Sequence, residues 1–276
     1  MQLSTNGISI YLKRNFRKKD STKSTILFLH GFGGCASDWK ETFSFLGSEF
    51  QLIAIDLPGF GKSAKPTNEK FYRRNFLFQL LVDTLRQLNL SEVILAGYSM
   101  GGRLSLQFAE RFPKKVKALI LESATAGIKT KKERFARQQT DAALIDFIKK
   151  NSLADFFTLW QNQSLFASQK NLPLKKQFSI LKKKISANSQ IGLINSLKYF
   201  GQGEGENLWQ KLTTITVPTL MLSGELDTKY CGILREAHNF LPNSTHIIVE
   251  GAGHNIHLEK PELFVNFVKE FLHSLH

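Results

Sequence analysis

The stretch Glu92–Phe112, EVILAGYSMGGRLSLQFAERF, decides the fold. Its first half is a short apolar run of the length of a buried strand, and its second half has the spacing of a helix. Between them, Gly97, Tyr98, Ser99, Met100 and Gly101 satisfy Gly-x-Ser-x-Gly. A chance match in a chain of this length has odds of roughly one in ten, so the pattern gains its force from its setting. A strand directly before it and a helix directly after it make a nucleophile elbow, a tight turn that lifts a serine hydroxyl above the end of a sheet. Larger side chains in place of the glycines would collide with the turn.

A serine hydroxyl is a poor nucleophile or base until another group takes its proton, and the usual partner is a histidine oriented by a carboxylate. After such an elbow the acid and then the histidine follow in chain order. GELDTKY (Gly224–Tyr230) comes after the apolar run PTLMLS and offers Asp227, with Glu225 as the second choice of acid. EGAGHNIH (Glu250–His257) comes after HIIV and offers His254, with His257 as the second choice of base. An oxyanion needs two fixed N–H donors, one from the residue after the serine and one from an early loop. These are expected from Met100 and from HGFGG (His30–Gly34), at Phe32. Asp56, in DLPGFGKS, precedes Ser99 and is read as a turn residue.

Further apolar runs lie at Thr25–His30, Gln51–Asp56 and Val116–Glu122, and the runs at Pro218–Glu225 and Thr245–Gly251 resume the pattern late. Helical stretches alternate with them, as in FLFQLLVDTLRQL, where Phe76, Leu77, Leu80, Leu81 and Leu85 share a face. Alternation of this kind predicts a parallel sheet covered on both sides. The middle of the chain breaks the rule: RQQTDAALIDFIKKN, LADFFTLWQNQ and QIGLINSLKYF all read as helices. The expected organisation is a core of residues 1–125 and 206–276 with a helical lid, 126–205, over the carboxyl ends of the strands, where open α/β sheets bind ligands.

With 276 residues, 42% hydrophobic and 22% charged, the composition is that of a folded globular protein. No apolar run is long enough to cross a membrane, and the N-terminus lacks the apolar core of a signal peptide, so a cytoplasmic location and no membrane partner are expected. Cys35 and Cys231 have no metal-ligand spacing. The formal charge of +14 is spread over short clusters such as RKKD, KTKKER and LKKKI without a nucleic-acid-binding motif. No nucleic-acid partner is expected, no metal and no cofactor, since GFGGCAS lacks the glycine spacing of a dinucleotide loop. The chain is expected to act as a monomer or homo-oligomer on a small anionic substrate.

LHGFGG, DLPGFGKS, GYSMGG, GELD and GAGHN together resemble the α/β-hydrolase superfamily from about Ile26 to Leu272. That resemblance implies an eight-stranded, mostly parallel sheet and fixes Ser99, Asp227 and His254 as the triad. GYSMGGR, LESATAG, ARQQTD, GLINSLKYFGQG and DTKY run in the order of a narrower family, the menaquinone-pathway 2-succinyl-6-hydroxy-2,4-cyclohexadiene-1-carboxylate synthases. The resemblance implies a lyase that eliminates pyruvate from 5-enolpyruvoyl-6-hydroxy-2-succinyl-cyclohex-3-ene-1-carboxylate, with the serine acting as a base within the triad. It points to Tyr98, Arg103, Arg137, Trp160 and Lys229 as substrate contacts: arginines to grip carboxylates in pairs of hydrogen bonds, Lys229 as a point charge, Trp160 as an apolar wall. Lys184 stands near the place of a family lid arginine, Lys198 replaces another arginine, and GQG replaces GTG. The competing expectation is a serine hydrolase of a small carboxylic ester, which needs only the triad and the oxyanion donors.

Overall fold

The computed structural model describes residues 1–275. In chain order the strands are β1 (Gln2–Thr5), β2 (Ile8–Arg14), β3 (Thr25–Leu29), β4 (Gln51–Ile55), β5 (Val93–Tyr98), β6 (Val116–Glu122), β7 (Thr219–Gly224) and β8 (Ser244–Val249). They form one sheet in the order β1-β2-β4-β3-β5-β6-β7-β8. From β4 to β8 every neighbouring pair is parallel, while β1 and β2 run antiparallel at one edge. TILFL, QLIAI and VILAGY are buried at every position, because central strands with helices on both faces have no solvent side. β2 instead alternates in its first five residues, the pattern of a strand with one half-covered face.

The helices α1 (Lys40–Leu46), α2 (Arg74–Gln87) and α3 (Met100–Arg111) follow β3, β4 and β5. Next come α4 (Lys131–Lys150), α5 (Leu153–Gln161), α6 (Leu174–Ala187) and α7 (Gln190–Phe200), then α8 (Thr228–His238), α9 (Ile256–Glu259) and α10 (Pro261–His273). One face of the sheet packs on α2, α3 and α8 through residues such as Leu81, Leu104 and Leu234. The other packs on α1 and α10, where Phe264, Val265, Val268 and Leu272 return to one stripe. Burying each such side chain stabilises the fold by about 1.5–3 kcal/mol.

From β3 the chain passes outward to β4 and then returns to the other side of β3 as β5. Neighbouring loops therefore diverge at the carboxyl ends of β3 and β5, and a crevice opens there. HGFGG leaves β3 and the Ser99 turn leaves β5 at this point.

Between β6 and β7 the chain forms α4 to α7 and no strand. Thr130 with Glu133 and Ser152 with Asp155 make reciprocal capping boxes that start α4 and α5. Several contacts seat these helices on the core. Lys183 pairs with Asp38 at 2.6 Å, and the Asn188 amide donates to the Gly33 carbonyl at 3.0 Å. At Gly192 the backbones touch so closely that a Cβ would lie 2.2 Å from the Gly59 carbonyl oxygen.

Candidate active site

Ser99 is held at φ 52°, ψ −106°, a conformation that costs a non-glycine residue about 1–3 kcal/mol. The surroundings enforce it. Its N–H donates to the Glu122 carbonyl on β6 at 2.8 Å, and its own carbonyl accepts from Arg103 N–H at 2.9 Å as α3 begins. A Cβ on Gly97 would sit 2.4 Å from the Gly101 carbonyl oxygen, and one on Gly101 2.3 Å from that of Leu29. Both glycines of the motif are thus needed for the helix to approach the strands at the turn.

Asp227 follows β7 and is buried, accepting from Tyr230 N–H at 3.3 Å as it caps α8. His254 follows β8 and is also buried. Its Nδ1 lies 2.6 Å from Asp227 Oδ2, and its Nε2 lies 3.1 Å from Ser99 Oγ. An ionised carboxylate can only accept, so Nδ1 carries the proton and the lone pair on Nε2 faces the serine hydroxyl. Ser99 can therefore be deprotonated in place. The second-choice residues are engaged elsewhere: Glu225 is exposed and accepts from Gly251 N–H at 2.9 Å, and His257 Nδ1 lies 2.6 Å from the buried Glu122 carboxylate.

Phe32 and Met100 line the cavity beside Ser99. Among the described residues neither backbone N–H has an acceptor. The Phe32 loop is braced from behind. His30 is buried, with Nδ1 2.8 Å from the Gly31 carbonyl and Nε2 accepting from Leu57 N–H at 3.0 Å. This arrangement requires the neutral ring, and burial accordingly lowers its pKa. Asp56 accepts from Ala36 N–H at 2.5 Å and Lys62 N–H at 2.7 Å, tying the two loops together in the structural role read from the sequence.

A cavity of about 450 Å³ lies between the triad and the helices that follow β6. Phe32, Tyr98, Trp160 and Phe166 give it aromatic walls, and Arg103, Arg137, Lys183, Lys184 and Lys229 give it positive charge. Tyr98 is packed against the His254 ring at 5.3 Å, and burial holds its hydroxyl well above the usual pKa. Trp160 sits 5.1 Å from the Phe32 ring. Its indole N–H is buried without an acceptor among the described residues, which leaves a donor as well as the expected wall.

The cations differ in how far the protein already uses them. Arg103 is buried and donates to the carbonyls of Phe200 at 2.7 Å and Gly201 at 3.1 Å, where α7 ends, with its guanidinium over the Phe200 ring. Burial, reinforced by Arg137, pushes its pKa down to about 10, so it stays charged near neutrality. Some of the fork expected to hold substrate therefore holds α7. Arg137 donates to Asp141 at 2.8 Å and to the Gln202 side chain, whose amide in turn donates to the Tyr230 hydroxyl at 2.9 Å. Lys183 is taken by Asp38, whereas Lys184 has no carboxylate within ion-pair distance among the described residues. Burial, opposed by Asp38 and reinforced by Lys183, lowers the Lys184 pKa. Lys229 is exposed at the rim.

Sequence reasoning did not single out Tyr230, Gln202, Asp141 or Phe166. Tyr230 packs on the His254 ring at 4.5 Å, and Phe166 at 5.9 Å. Gln202 had a signal in the departure from GTG to GQG, and Asp141 in lying four residues after Arg137 on α4.

A serine, histidine and aspartate relay at the carboxyl ends of a mostly parallel sheet, roofed by helices inserted late in the chain, defines a triad protein of the α/β-hydrolase class. Residues 24–261 match the family described as alpha/beta hydrolase fold. Within that family the chain belongs to the 2-succinyl-6-hydroxy-2,4-cyclohexadiene-1-carboxylate synthases. It is 40% identical over 255 residues, 92% of each chain, to a Bacillus subtilis (strain 168) protein named putative 2-succinyl-6-hydroxy-2,4-cyclohexadiene-1-carboxylate synthase. It is 30% identical over 252 residues to the synthase so named from Klebsiella pneumoniae (strain 342), covering 90% of this chain and 94% of that one. The solved structure of MenH from S. aureus superposes with a TM-score of 0.90 at 30% identity, over 96% of this chain and 98% of that one. Among the described residues no helix is long and apolar enough to cross a membrane.

Proposed function

We propose that the protein is the lyase that eliminates pyruvate from 5-enolpyruvoyl-6-hydroxy-2-succinyl-cyclohex-3-ene-1-carboxylate to give 2-succinyl-6-hydroxy-2,4-cyclohexadiene-1-carboxylate in menaquinone biosynthesis. The single observation that carries the reading is a complete relay, His254 Nε2 3.1 Å from Ser99 Oγ, opening into a cavity ringed by five cationic side chains. The substrate bears ring, succinyl and enolpyruvyl carboxylates, and cations at several points around the serine suit them.

The ring proton at C2 lies beside the succinyl carbonyl and is acidified by it. Ser99 Oγ, giving its own proton to His254, removes that C2 proton. The electron pair flows toward the carbonyl oxygen, where the Phe32 and Met100 N–H groups would stabilise the developing enolate. Collapse of the enolate moves the ring double bond, completes the diene and breaks the C5–O bond. Pyruvate leaves as its enolate, and the proton held on His254 is returned to it, which leaves the imidazole neutral and Ser99 carrying the proton taken from C2. Asp227 stabilises the imidazolium formed in the first step. Arg103 with its remaining donors, Arg137, Lys184 and Lys229 hold carboxylates, while Tyr98 and Trp160 flank the ring.

The reading includes a cytoplasmic site of action, supported by two buried free cysteines, Cys35 and Cys231, which suit a reducing compartment. The test is pyruvate release from the purified protein and the synthetic precursor. Release well above the Ser99→Ala background is expected; release equal to it overturns the assignment. Ester hydrolysis through an acyl-enzyme would instead add mass to the intact protein during turnover, and none is expected.

A further inference from the structure

The loop that carries His254 is gripped by two carboxylates that are not part of the triad. Glu259, on α9, accepts from Gly253 N–H at 2.7 Å and from Asn255 N–H at 3.3 Å, the residues on either side of His254. Glu122, at the end of β6, accepts from His257 N–H at 3.0 Å, and its other oxygen lies 2.6 Å from His257 Nδ1. Glu122 is 1% exposed and His257 2% exposed, so neither contact competes with water. The same residue, Glu122, uses its backbone carbonyl to accept from Ser99 N–H at 2.8 Å. One residue of β6 therefore fixes the serine turn through its main chain and the histidine loop through its side chain. His257 is in turn wedged by Trp39, stacked at 3.9 Å, and by the Tyr98 ring at 5.2 Å.

We infer that Glu122, acting through His257, and Glu259 form a two-carboxylate clamp that sets the position of His254 relative to Ser99. They are positioning residues: neither is bonded to the triad side chains, and both act on the backbone that presents the imidazole. Nε2 and Oγ must stay within hydrogen-bond reach while the proton moves, and a displacement near 1 Å can lower a rate about 10²-fold. The loop has no strand or long helix of its own to supply this precision. The chain turns at Gly251, runs through Gly253, and enters a helix of only four residues. Charge-assisted hydrogen bonds supply it instead, from Glu122 across the fold and from Glu259 at the far end of that short helix.

The inference rests on the proposed roles of Ser99 and His254, and its test separates the two. Two readouts are needed on each variant: kcat and KM for pyruvate release, and the rate at which a fluorophosphonate probe labels Ser99. Labelling reports the Ser99 and His254 geometry whatever the natural substrate, so absence of pyruvate release by the wild-type protein would sink the function while leaving the clamp testable.

Glu122→Leu is expected to lose about 10²-fold in kcat and in labelling rate with KM little changed. Glu122→Gln retains an oxygen for the His257 N–H and offers Nδ1 a donor in place of an acceptor, so most of the loss should be recovered. Glu259 is partly exposed, and Glu259→Ala, which is expected to fold if Glu122→Leu does not, should lose about tenfold in both rates. A folded Glu259→Ala protein with wild-type labelling and kcat overturns the inference. So does a Glu122→Leu protein whose loss is matched by Glu122→Gln, or one that loses KM rather than kcat.

Discussion

Two buried histidine–carboxylate pairs lie three residues apart in the chain and differ little in local geometry. His254 and His257 each place Nδ1 2.6 Å from a buried carboxylate, and each packs against the Tyr98 ring, at 5.3 and 5.2 Å. What separates them is the other nitrogen. His254 Nε2 faces Ser99 Oγ at 3.1 Å, at the floor of the cavity, whereas His257 Nε2 is buried without a partner among the described residues and its ring lies flat on Trp39. A carboxylate that fixes the tautomer prepares an imidazole to act as a base, but the group opposite Nε2 decides whether there is a proton to take. On the proposed function the first pair serves the reaction, and on the clamp inference the second holds the first in place.

The largest break between the pairs comes from removing each base. His254→Ala and Ser99→Ala should each lower kcat by about 10⁴-fold or more, with the same loss in the double variant, because the members of a relay act as a unit. Thermal unfolding should change little or move upward in Ser99→Ala, and Ser99→Gly should relieve the positive φ directly. Steady-state pyruvate release and scanning calorimetry on the same preparations check both halves. A double variant that falls as the product of the single losses would mean that the two side chains work independently.

The acids offer the matched substitution. Asp227→Asn keeps shape but presents a donor or acceptor that no longer fixes the Nδ1–H tautomer, and kcat should fall about 10³- to 10⁴-fold. The corresponding change in the other pair, Glu122→Gln, should stay within about tenfold, since no proton moves at His257. Equal losses in the two variants would erase the distinction between the pairs.

Stability should show the reverse order. His257→Leu leaves the Glu122 carboxylate buried without its partner, and breaking a buried pair from one side costs about 3–5 kcal/mol. Chemical denaturation should show that loss, with the denaturant slope unchanged. Removing His254 unpairs Asp227 in the same way, but both line the cavity, where water can reach the carboxylate, so the cost should be smaller.

The difference between the two pairs also marks how far the chain could be read before its fold was known. The six parallel strands were legible because β3 to β8 are short apolar runs separated by helical spacing, and the meeting of Ser99, Asp227 and His254 because each follows such a run. The hairpin of β1 and β2 was not read, although Asn6-Gly7, with φ 48° and 84°, is the turn that such hairpins favour. α6 carries the same kind of signal, since Leu174, Phe178, Leu181 and Ile185 recur at helical spacing among its lysines, yet it is absent from the helices expected from the sequence. His254 could be preferred to His257 by its distance from the strand. That His257 reaches Glu122 across 135 positions of sequence could not be seen, because nothing local in LESATAG or GHNIH records a side chain crossing between loops. The cavity cations divide the same way. Lys184 and Lys183 are adjacent and alike in sequence, and only the position of Asp38 in space shows which is already paired.

A third buried histidine gives the smallest effect and the sharpest contrast, because among the described residues it has no carboxylate bonded to it. His30 donates from Nδ1 to the Gly31 carbonyl and accepts at Nε2 from Leu57 N–H, so protonation would place a second donor against an N–H. Burial holds its folded pKa below the ordinary value of 6.5, with Asp56 opposing. Half-buried His246 behaves alike, with burial lowering its pKa to about 4. Above about pH 6.5 both groups are neutral in the folded and the unfolded chain, and their full contribution to stability is present. As the pH falls below that, the unfolded chain binds protons that the folded chain refuses, and stability is lost until the folded pKa values are passed. Urea midpoints measured from pH 7.5 down to 4.5 should therefore fall, and His246→Gln should flatten part of the slope without touching kcat at neutral pH. His30→Gln, which disturbs the loop behind Phe32, should flatten the slope and lower kcat together. A midpoint independent of pH over that interval would mean that these rings take up protons in the folded state as readily as in the unfolded one, contrary to the hydrogen bonds His30 makes.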